Sequence, residues 1–176
     1  MLNAHDILTA AGLRQGMHLA EFGTSRTGHF PLAASKIVGD DGQVYGIDLL
    51  PEVLSMLGGR SRLEGCSNVA PVWGDYEREG GVDIPEGSLD VALLTHTLPG
   101  VQNPDAFGRE LSRLLKPGGR VVVVDWDPST NHPMCPDGDR CLPPQKAEAL
   151  LRRLGLTHEE WFEPADTHWG GVWRNA

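Results

Sequence analysis

Two acidic residues and one glycine-bounded turn are the parts of this sequence with the clearest chemical potential. Asp48 ends one predicted strand, and Asp75 closely follows another. A turn bounded by Gly23 and Gly28 joins a predicted strand at residues 17–22 to a helix. Glycine lets the backbone turn sharply near a ligand, the helix start presents unpaired N–H groups, and the acid can accept two hydrogen bonds from a ribose diol. This order predicts a βαβ unit that holds a nucleotide at the carboxyl ends of parallel strands.

Strands and helices must alternate along the chain to position these residues. One strand is predicted to end at residue 48, and the others lie at residues 17–22, 68–73, 89–94, 120–126, 156–162 and 168–174. Helices are predicted at residues 3–11, 29–38, 104–115 and 145–154, with another that starts at Pro51 and is weakened or ended early by Gly58 and Gly59. The uninterrupted apolar run at 89–94 is typical of a central parallel strand. The last two strands predict an antiparallel pair at one end of the sheet.

Composition favours one domain with a substantial core. The chain has 176 residues, of which 40% are hydrophobic, and its formal net charge is −9. This negative charge argues against nucleic acid or an anionic membrane as a partner. Its apolar runs are too short to span a bilayer and no secretion signal is evident, so we expect a cytoplasmic location without a transmembrane segment.

The cysteines do not form a recognisable framework. Cys66, Cys135 and Cys141 are an odd number, which favours reduced thiols, although a Cys135–Cys141 bridge stays open as an alternative. His132 lies near the last two, but the spacing matches no established zinc motif. We therefore predict no metal site.

Several segments together resemble a known family. In order, they are EFGTSRTGHF, VYGIDLLPEVL, NVAPVWGDYE, PEGSLDVALLTHTL and LSRLLKPGGRVVVVDW. Their order and spacing over residues 17–126 are similar to class I S-adenosylmethionine-dependent methyltransferases. The resemblance implies an α/β fold over residues 1–176, with a Rossmann-like, mostly parallel seven-stranded sheet, flanking helices and a C-terminal antiparallel hairpin. It also implies S-adenosylmethionine as the cofactor.

The resemblance assigns residues to the methionine end of that cofactor. Glu21 would face the amino group directly or through water, while Gly23 and Gly28 would let the turn approach the amino-acid part and the ribose. Thr95 would lie near the methionine end and the transferred methyl group.

The same resemblance assigns residues to the nucleoside end. Asp48 would accept hydrogen bonds from both ribose hydroxyls, and Asp75 would accept one from the adenine amino group. Tyr76 would lie beside the base through its backbone or its ring. Leu49 and Leu50 would supply apolar contacts to the adenine.

The turn departs from the family pattern at two positions. Ser25 stands where the family has a second glycine, and Arg26 lies in a turn that is one residue longer than the common form. One hypothesis is that Arg26, together with Thr24 and Ser25, binds the cofactor's carboxylate. The alternative is that Arg26 faces solvent and the wider turn weakens binding.

His96 is the candidate general base, because it follows the predicted fourth strand at the mouth of the crevice. The alternative is a hydrogen-bonded histidine without a catalytic role. In-line displacement at a sulfonium methyl requires alignment of the nucleophile, exclusion of water and in some cases a base.

Two segments, PEVL and VVDWDP, are similar to the corresponding segments of family members that act on small molecules or quinone-like lipids. The predicted function is methyl transfer to such an acceptor. One alternative is a non-catalytic binding or regulatory protein on this fold. Another is a dinucleotide-binding oxidoreductase, since Gly23-x-Ser25-x-x-Gly28 is a degraded form of the dinucleotide-binding glycine fingerprint.

Trp161, Trp169 and Trp173 are expected to pack the edge strands, or else to line an acceptor pocket or a homodimer contact.

Overall fold

The alternation of strands and helices predicted from the sequence is present in the computed structural model, which describes residues 2–130 and 141–176. The strands are β1 His18–Phe22, β2 Gln43–Asp48, β3 Val69–Trp73, β4 Leu89–Thr95, β5 Leu115–Trp126, β6 Thr157–Ala165 and β7 His168–Arg174. The helices are α1 Ala4–Ala10, α2 His29–Val38, α3 Pro51–Leu63, α4 Pro104–Leu114 and α5 Pro144–Arg153, with a 3-10 turn at Leu98–Gly100.

All seven strands form one sheet in the order β3-β2-β1-β4-β5-β7-β6. The pairs from β3 to β5 are parallel, whereas β7 is antiparallel to both β5 and β6. This arrangement confirms the predicted fold. After β1 the chain builds outward to β2 and β3 and then crosses back to β4 on the other side of β1. Such a reversal opens a crevice at the carboxyl ends of β1 and β4, where parallel α/β sheets bind ligands.

Helices cover both faces of the sheet. One core layer joins β-strand side chains to α1, α2 and α3 through residues such as Ile7, Phe30 and Leu57. The opposite layer joins the sheet to α4 and α5 through Phe107 and Leu151. The middle parts of β4 and β5 are buried on both faces, and residues 91–94 and 121–124 are accordingly continuous apolar runs.

Helix α3 is longer than the sequence predicted. It continues through Gly58 and Gly59 to Leu63, although glycine is a weak helix former. Val53 and Leu57 are buried on its inner side, and a Cβ at Gly58 would lie 3.4 Å from Pro71 Cγ on β3. Packing against the sheet therefore overrides the weak local propensity.

Strand β5 begins five residues earlier than residue 120. Leu115 pairs with Leu89, and a register irregularity separates this pair from the Val91–Arg120 pair. Lys116 Nζ donates to Asp90 Oδ1 at 2.7 Å. The Lys-Pro-Gly-Gly segment thus forms an irregular strand start at the amino end of the sheet, on the side away from the crevice.

The predicted loop at residues 127–144 falls mostly on residues 131–140, so His132 and Cys135 lie outside the described residues. Among the residues that are described, no helix combines the length and the apolar character needed to cross a membrane.

Candidate functional site

Four side chains from four strands lie on one face of the sheet, at its carboxyl end. Side chains alternate along a strand, so register decides which of them share a face. Thr95 is paired with Val124, two residues before Trp126, and Trp126 is paired with His168 across β5 and β7. Glu21 on β1 lies on the same face. Together with Thr95, Trp126 and His168, it lines a cavity of about 740 Å³. Its position on the sheet is the one expected for a ligand site.

The turn after β1 requires both of its glycines. Gly23 has φ 75°, and its N–H donates to Ile47 O at 3.0 Å. A Cβ at Gly23 would lie 3.4 Å from Tyr76 Oη. Gly28 has φ 60°, and a Cβ there would approach Leu57 Cδ1 to 2.7 Å. The turn therefore lies tightly against α3 and the loop that follows β3.

Glu21 is a carboxyl group held away from water. Its residue is 2% exposed, and this burial, with a smaller contribution from the negative charge of Asp48, raises its pKa to about 7. Hydrogen bonds from the Thr24 hydroxyl, at 2.6 Å, and from the Ser25 N–H oppose this rise. A cation placed in the cavity would favour the carboxylate form.

The two aspartates lie at the open edge of the same crevice, outside the cavity itself. Asp48 Oδ1 accepts from the Leu50 N–H at 2.8 Å, and Asp75 Oδ1 accepts from the Glu77 N–H at 2.9 Å. Leu49, between the two strand ends, is 48% exposed. The residues predicted to contact the nucleoside thus lie at the carboxyl ends of β2 and β3, beside β1 in the sheet.

Tyr76 connects this edge to the core. Its ring packs edge-on against Phe22, with centroids 5.8 Å apart, and against Phe107, at 5.9 Å. Burial, followed by the nearby charges of Asp48, Glu77 and Asp75, raises the pKa of its phenol. The ring is therefore fixed by packing, and its hydroxyl lies beside the Gly23 turn.

The substituted part of the turn faces outward. Ser25, Arg26 and Thr27 are all exposed, and Ser25 Oγ lies 2.9 Å from Thr27 Oγ1. Ser25 lines the cavity. Within residues 2–130 and 141–176, no ion pair or hydrogen bond involves the Arg26 side chain. Both hypotheses for Arg26 stay predictions.

His96 is fixed in an uncommon conformation at the cavity wall. It has φ 56°, a region that costs energy for a residue with a Cβ. Its N–H extends the sheet by donating to Val124 O at 2.9 Å, and its ring stacks on Trp126 at 5.6 Å between centroids. Its Nε2 lies 3.0 Å from His168 Nε2. Although the residue retains exposed surface, desolvation by its neighbours lowers the pKa of the imidazole.

Sequence reasoning placed Trp126, Thr167 and His168 in strands or turns and did not assign them to the site. The structure brings all three to the cavity that contains Thr95 and His96. The available signal was the antiparallel pairing of the terminal hairpin with the fifth strand. This signal could not identify the site residues, because neither segment alone determines the strand register that pairs His168 with Trp126.

A metal centre is not assembled in the described part of the chain, which contains no group of three or more His, Cys, Asp or Glu side chains suited to hold an ion. His132 and Cys135 lie outside that part, so it does not test every candidate ligand from the sequence.

Curated relatives match part of this chain. A 2-phytyl-1,4-naphtoquinone methyltransferase from Synechococcus elongatus is 33% identical over 101 residues, which are 56% of this chain and 42% of the relative. The ubiquinone/menaquinone biosynthesis C-methyltransferase UbiE of Pseudoalteromonas translucida is 29% identical over 121 residues, 68% of this chain and 46% of the relative. The chain therefore spans less than half the length of these relatives.

Solved structures share the whole fold. A SAM dependent methyltransferase from Aquifex aeolicus superposes with a TM-score of 0.91 at 22% identity, covering 99% of this chain and 90% of that one. The cyclase SpnF superposes with a TM-score of 0.81 at 17% identity, covering 98% of this chain and 79% of that one. At these identities the likeness establishes the fold and not the reaction.

The family itself is established by sequence. A family model described as "Methyltransferase domain" matches residues 20–123, more than half of the chain. The match runs from β1 to β5 and so contains the turn, both aspartates, Thr95 and His96. The chain belongs to the methyltransferase-domain family.

Proposed function

We propose that this chain transfers a methyl group from S-adenosylmethionine to a small quinone-like or lipid-like acceptor. Family membership and the names of the two quinone methyltransferases support this reaction and this acceptor class. The observation that carries the proposal is the cavity at the carboxyl ends of β1 and β4, which is lined by Glu21, Thr95 and His96. Asp48 and Asp75 lie at the ends of the neighbouring strands β2 and β3.

The polar groups in and beside this cavity fit the proposed cofactor. Thr95 Oγ1 is inaccessible to solvent and lacks a hydrogen-bond partner among residues 2–130 and 141–176. Such an orphaned group is a candidate to bond a ligand. Glu21 beside it offers a negative charge to an ammonium or sulfonium group. Asp48 and Asp75 suit the ribose hydroxyls and the adenine amino group.

The residues divide the work of the reaction. When bound, S-adenosylmethionine would supply a methyl group already activated by a positively charged sulfur. Glu21 and Thr95 would orient this end, and the aromatic ring of Trp126 would help to exclude water from the acceptor side. His96 would accept a proton from the acceptor. Positioning of this kind can lower the barrier of such a displacement by about 7–11 kcal/mol.

Ligand binding tests the cofactor assignment. Thermal unfolding is measured with S-adenosylmethionine, S-adenosylhomocysteine and NAD. We expect stabilisation by both adenosyl ligands, about 4 kcal/mol for a millimolar ligand with micromolar affinity, and no shift with NAD. Stabilisation by NAD alone would replace this proposal with the dinucleotide-binding alternative.

Methyl transfer is then measured with cofactor labelled in its methyl group. The acceptor probe is a 1,4-naphthohydroquinone with a short prenyl chain, kept reduced, and an assay on extracted small molecules broadens the search. Incorporation of label into an acceptor supports the proposal. Binding of both adenosyl ligands without transfer to any acceptor would contradict it.

That second outcome would favour a binding role, or a different reaction, on the same fold. The altered turn with Ser25 and Arg26 is the feature of this chain that favours such a role. The shared fold of SpnF, whose name gives it as a cyclase, illustrates that this architecture does not dictate methyl transfer.

A further inference from the structure

A short hydrogen-bonded series runs along the cavity wall from the terminal hairpin to His96. Thr167 Oγ1 lies 2.8 Å from His168 Nδ1, and His168 Nε2 lies 3.0 Å from His96 Nε2. All three residues line the cavity; His168 is buried at 8% exposure, whereas His96 is exposed. Three groups that each can pass or hold a proton are thus joined along the wall of the ligand space.

We propose that His96 and His168 act as one proton acceptor, in which His96 contacts the methyl acceptor and His168, oriented by Thr167, is the positioning residue that receives the relayed proton. This inference rests on the proposed methyl transfer and adds a residue from the terminal hairpin to it.

Only one proton fits between the two facing Nε2 atoms. If His168 Nδ1–H donates to Thr167 Oγ1, His168 Nε2 becomes an acceptor and takes the hydrogen bond from His96 Nε2–H. His96 Nδ1 then carries a lone pair. A proton gained at this Nδ1 lets the Nε2 proton move to His168, so that both rings share the resulting charge.

Trp126 forms a platform for that charge. Its ring stacks on His96 at an interplanar angle of 16° and lies 4.1 Å from His168 between centroids. An indole face attracts a cation, so one side chain favours the protonated form of both imidazoles. The positive φ of His96 has a function in this arrangement, because it keeps the ring on the platform and within reach of His168.

Other titratable groups border the pair. Glu21 on β1, His29 on α2 and Arg60 on α3 line the same cavity. Asp127, which follows β5, donates its N–H to Thr167 O but accepts at Oδ1 from Ser129. Among the described residues, Glu21 contributes a carboxyl group to this cavity, while the guanidinium of Arg60 acts against a second positive charge.

The proton balance identifies the acceptor chemistry. The acceptor must carry an O–H proton, which passes to His96 while its ring carbon or oxygen bonds to the methyl group. The C–S bond breaks, and its electron pair stays on sulfur. When the attacking atom is a ring carbon, that carbon loses its own proton after methylation. The two histidines then return the first proton to the acceptor oxygen. One proton is released in total, so a fully oxidised quinone without a hydroxyl group has nothing to give the pair.

The hydrogen bond is tested on the protein alone by NMR with ¹⁵N-labelled histidine. We expect a through-hydrogen-bond coupling between His96 Nε2 and His168 Nε2 at a pH where the pair is neutral. The two rings should also titrate together, with the second protonation strongly disfavoured by the first. In H168Q, His96 should titrate in a single step at lower pH, because its charge is no longer shared. Identical His96 titration in both proteins overturns the proposal.

The second measurement is methyl transfer to the reduced naphthohydroquinone probe. His96→Gln should lower kcat by about 100-fold, and His168→Gln by about tenfold with little change in KM. The rising limb of kcat with pH should move to lower pH in His168→Gln. Thr167→Val, which removes only the hydroxyl, tests the same relay if His168→Gln does not fold. His5→Gln, at an exposed residue of α1, is the control.

The outcomes separate this inference from the function on which it rests. Absence of cofactor binding and of transfer by the unchanged protein would remove the proposed function, while the NMR coupling would still report on the pair. Normal transfer with an unshifted pH profile in both His168→Gln and Thr167→Val would remove the relay and leave the function intact.

Discussion

Two buried carboxyl groups in this molecule have similarly raised pKa values but lie in different surroundings. Burial raises the pKa of both Glu21 and Asp125 to about 7. Glu21 faces the cavity and is hydrogen-bonded by Thr24. Asp125 points to the opposite face of the sheet, where its Oδ2 has no hydrogen-bond partner among residues 2–130 and 141–176. In our proposal Glu21 binds the cationic end of the cofactor, whereas the buried Asp125 lowers the stability of the fold.

Asp125 should make the protein less stable as the pH rises. Its folded pKa lies above the ordinary value of 3.8, so the folded state binds more protons between about pH 4 and 7 and loses stability across that window. We expect Asp125→Asn to stabilise the protein by up to about 4 kcal/mol at pH 8 and by much less at pH 4. Urea unfolding at both pH values measures this, with exposed Asp105→Asn as the control. An equal effect at both pH values would contradict the explanation.

Glu21 should link cofactor affinity to pH. A cationic ligand beside Glu21 favours the carboxylate, so binding should release a proton near neutrality and the affinity should rise between pH 6 and 8. Glu21→Gln should weaken S-adenosylmethionine binding by about tenfold at pH 8, equivalent to about 1.4 kcal/mol, and flatten this dependence. Calorimetric titration in two buffers of different ionisation enthalpy measures both quantities. Unchanged affinity in the variant would remove Glu21 from the site.

At the scale of elements, close packing between β2, α3 and the glycine-bounded turn holds Glu21 in place. A Cβ at Gly46 on β2 would collide with Leu57 of α3 and come within 3.2 Å of Thr24 Oγ1, the donor to Glu21. The absence of a side chain at one strand position thus allows helix and turn to meet over the sheet.

Gly46→Ala should therefore damage both stability and the site. We expect a loss of about 1–3 kcal/mol from overpacking, together with weaker cofactor binding. Gly59→Ala is the matched control: a Cβ there meets nothing within 4 Å inside α3, and alanine should stabilise the helix by up to about 1 kcal/mol. Denaturant midpoints and calorimetry distinguish the two, and equal stabilities for both variants would refute the packing argument.

The elements were largely predictable, because hydrophobic periodicity and turn residues are local signals. The bounds of α2 and β7 agree with the prediction, and Asn3 caps α1 as expected, with Oδ1 accepting from the His5 N–H at 3.1 Å. The family and its fold were also recognisable from the order and spacing of five sequence segments. The extension of α3 depends instead on contacts with β3. The pairing of His96 with His168 depends on strand register between residues 72 positions apart, which local patterns do not encode.

At the scale of the whole molecule, the sheet is continuous across the site. Strands on both sides of the β1–β4 switch share hydrogen bonds, and two core layers extend along the sheet's faces. No element of the described chain forms a separate core of its own. This continuity supports our proposal that residues 1–176 fold as one domain.

We therefore expect a single cooperative unfolding transition. Far-ultraviolet circular dichroism reports the entire sheet, and tryptophan fluorescence reports mainly the hairpin side, where Trp161, Trp169 and Trp173 lie. Coincident midpoints in urea would support one domain. Two separated transitions would divide the chain and contradict the proposal.

The antiparallel insertion of β7 between β5 and β6 also has a consequence for biosynthesis. Until β7 arrives, β5 presents the unpaired edge of a strand that contains four consecutive valines, from Val121 to Val124. Exposed apolar edges of this kind template association between chains. A nascent or refolding polypeptide is therefore most vulnerable to aggregation after β5 has formed and before the hairpin docks, and chaperone dependence should be concentrated in that interval.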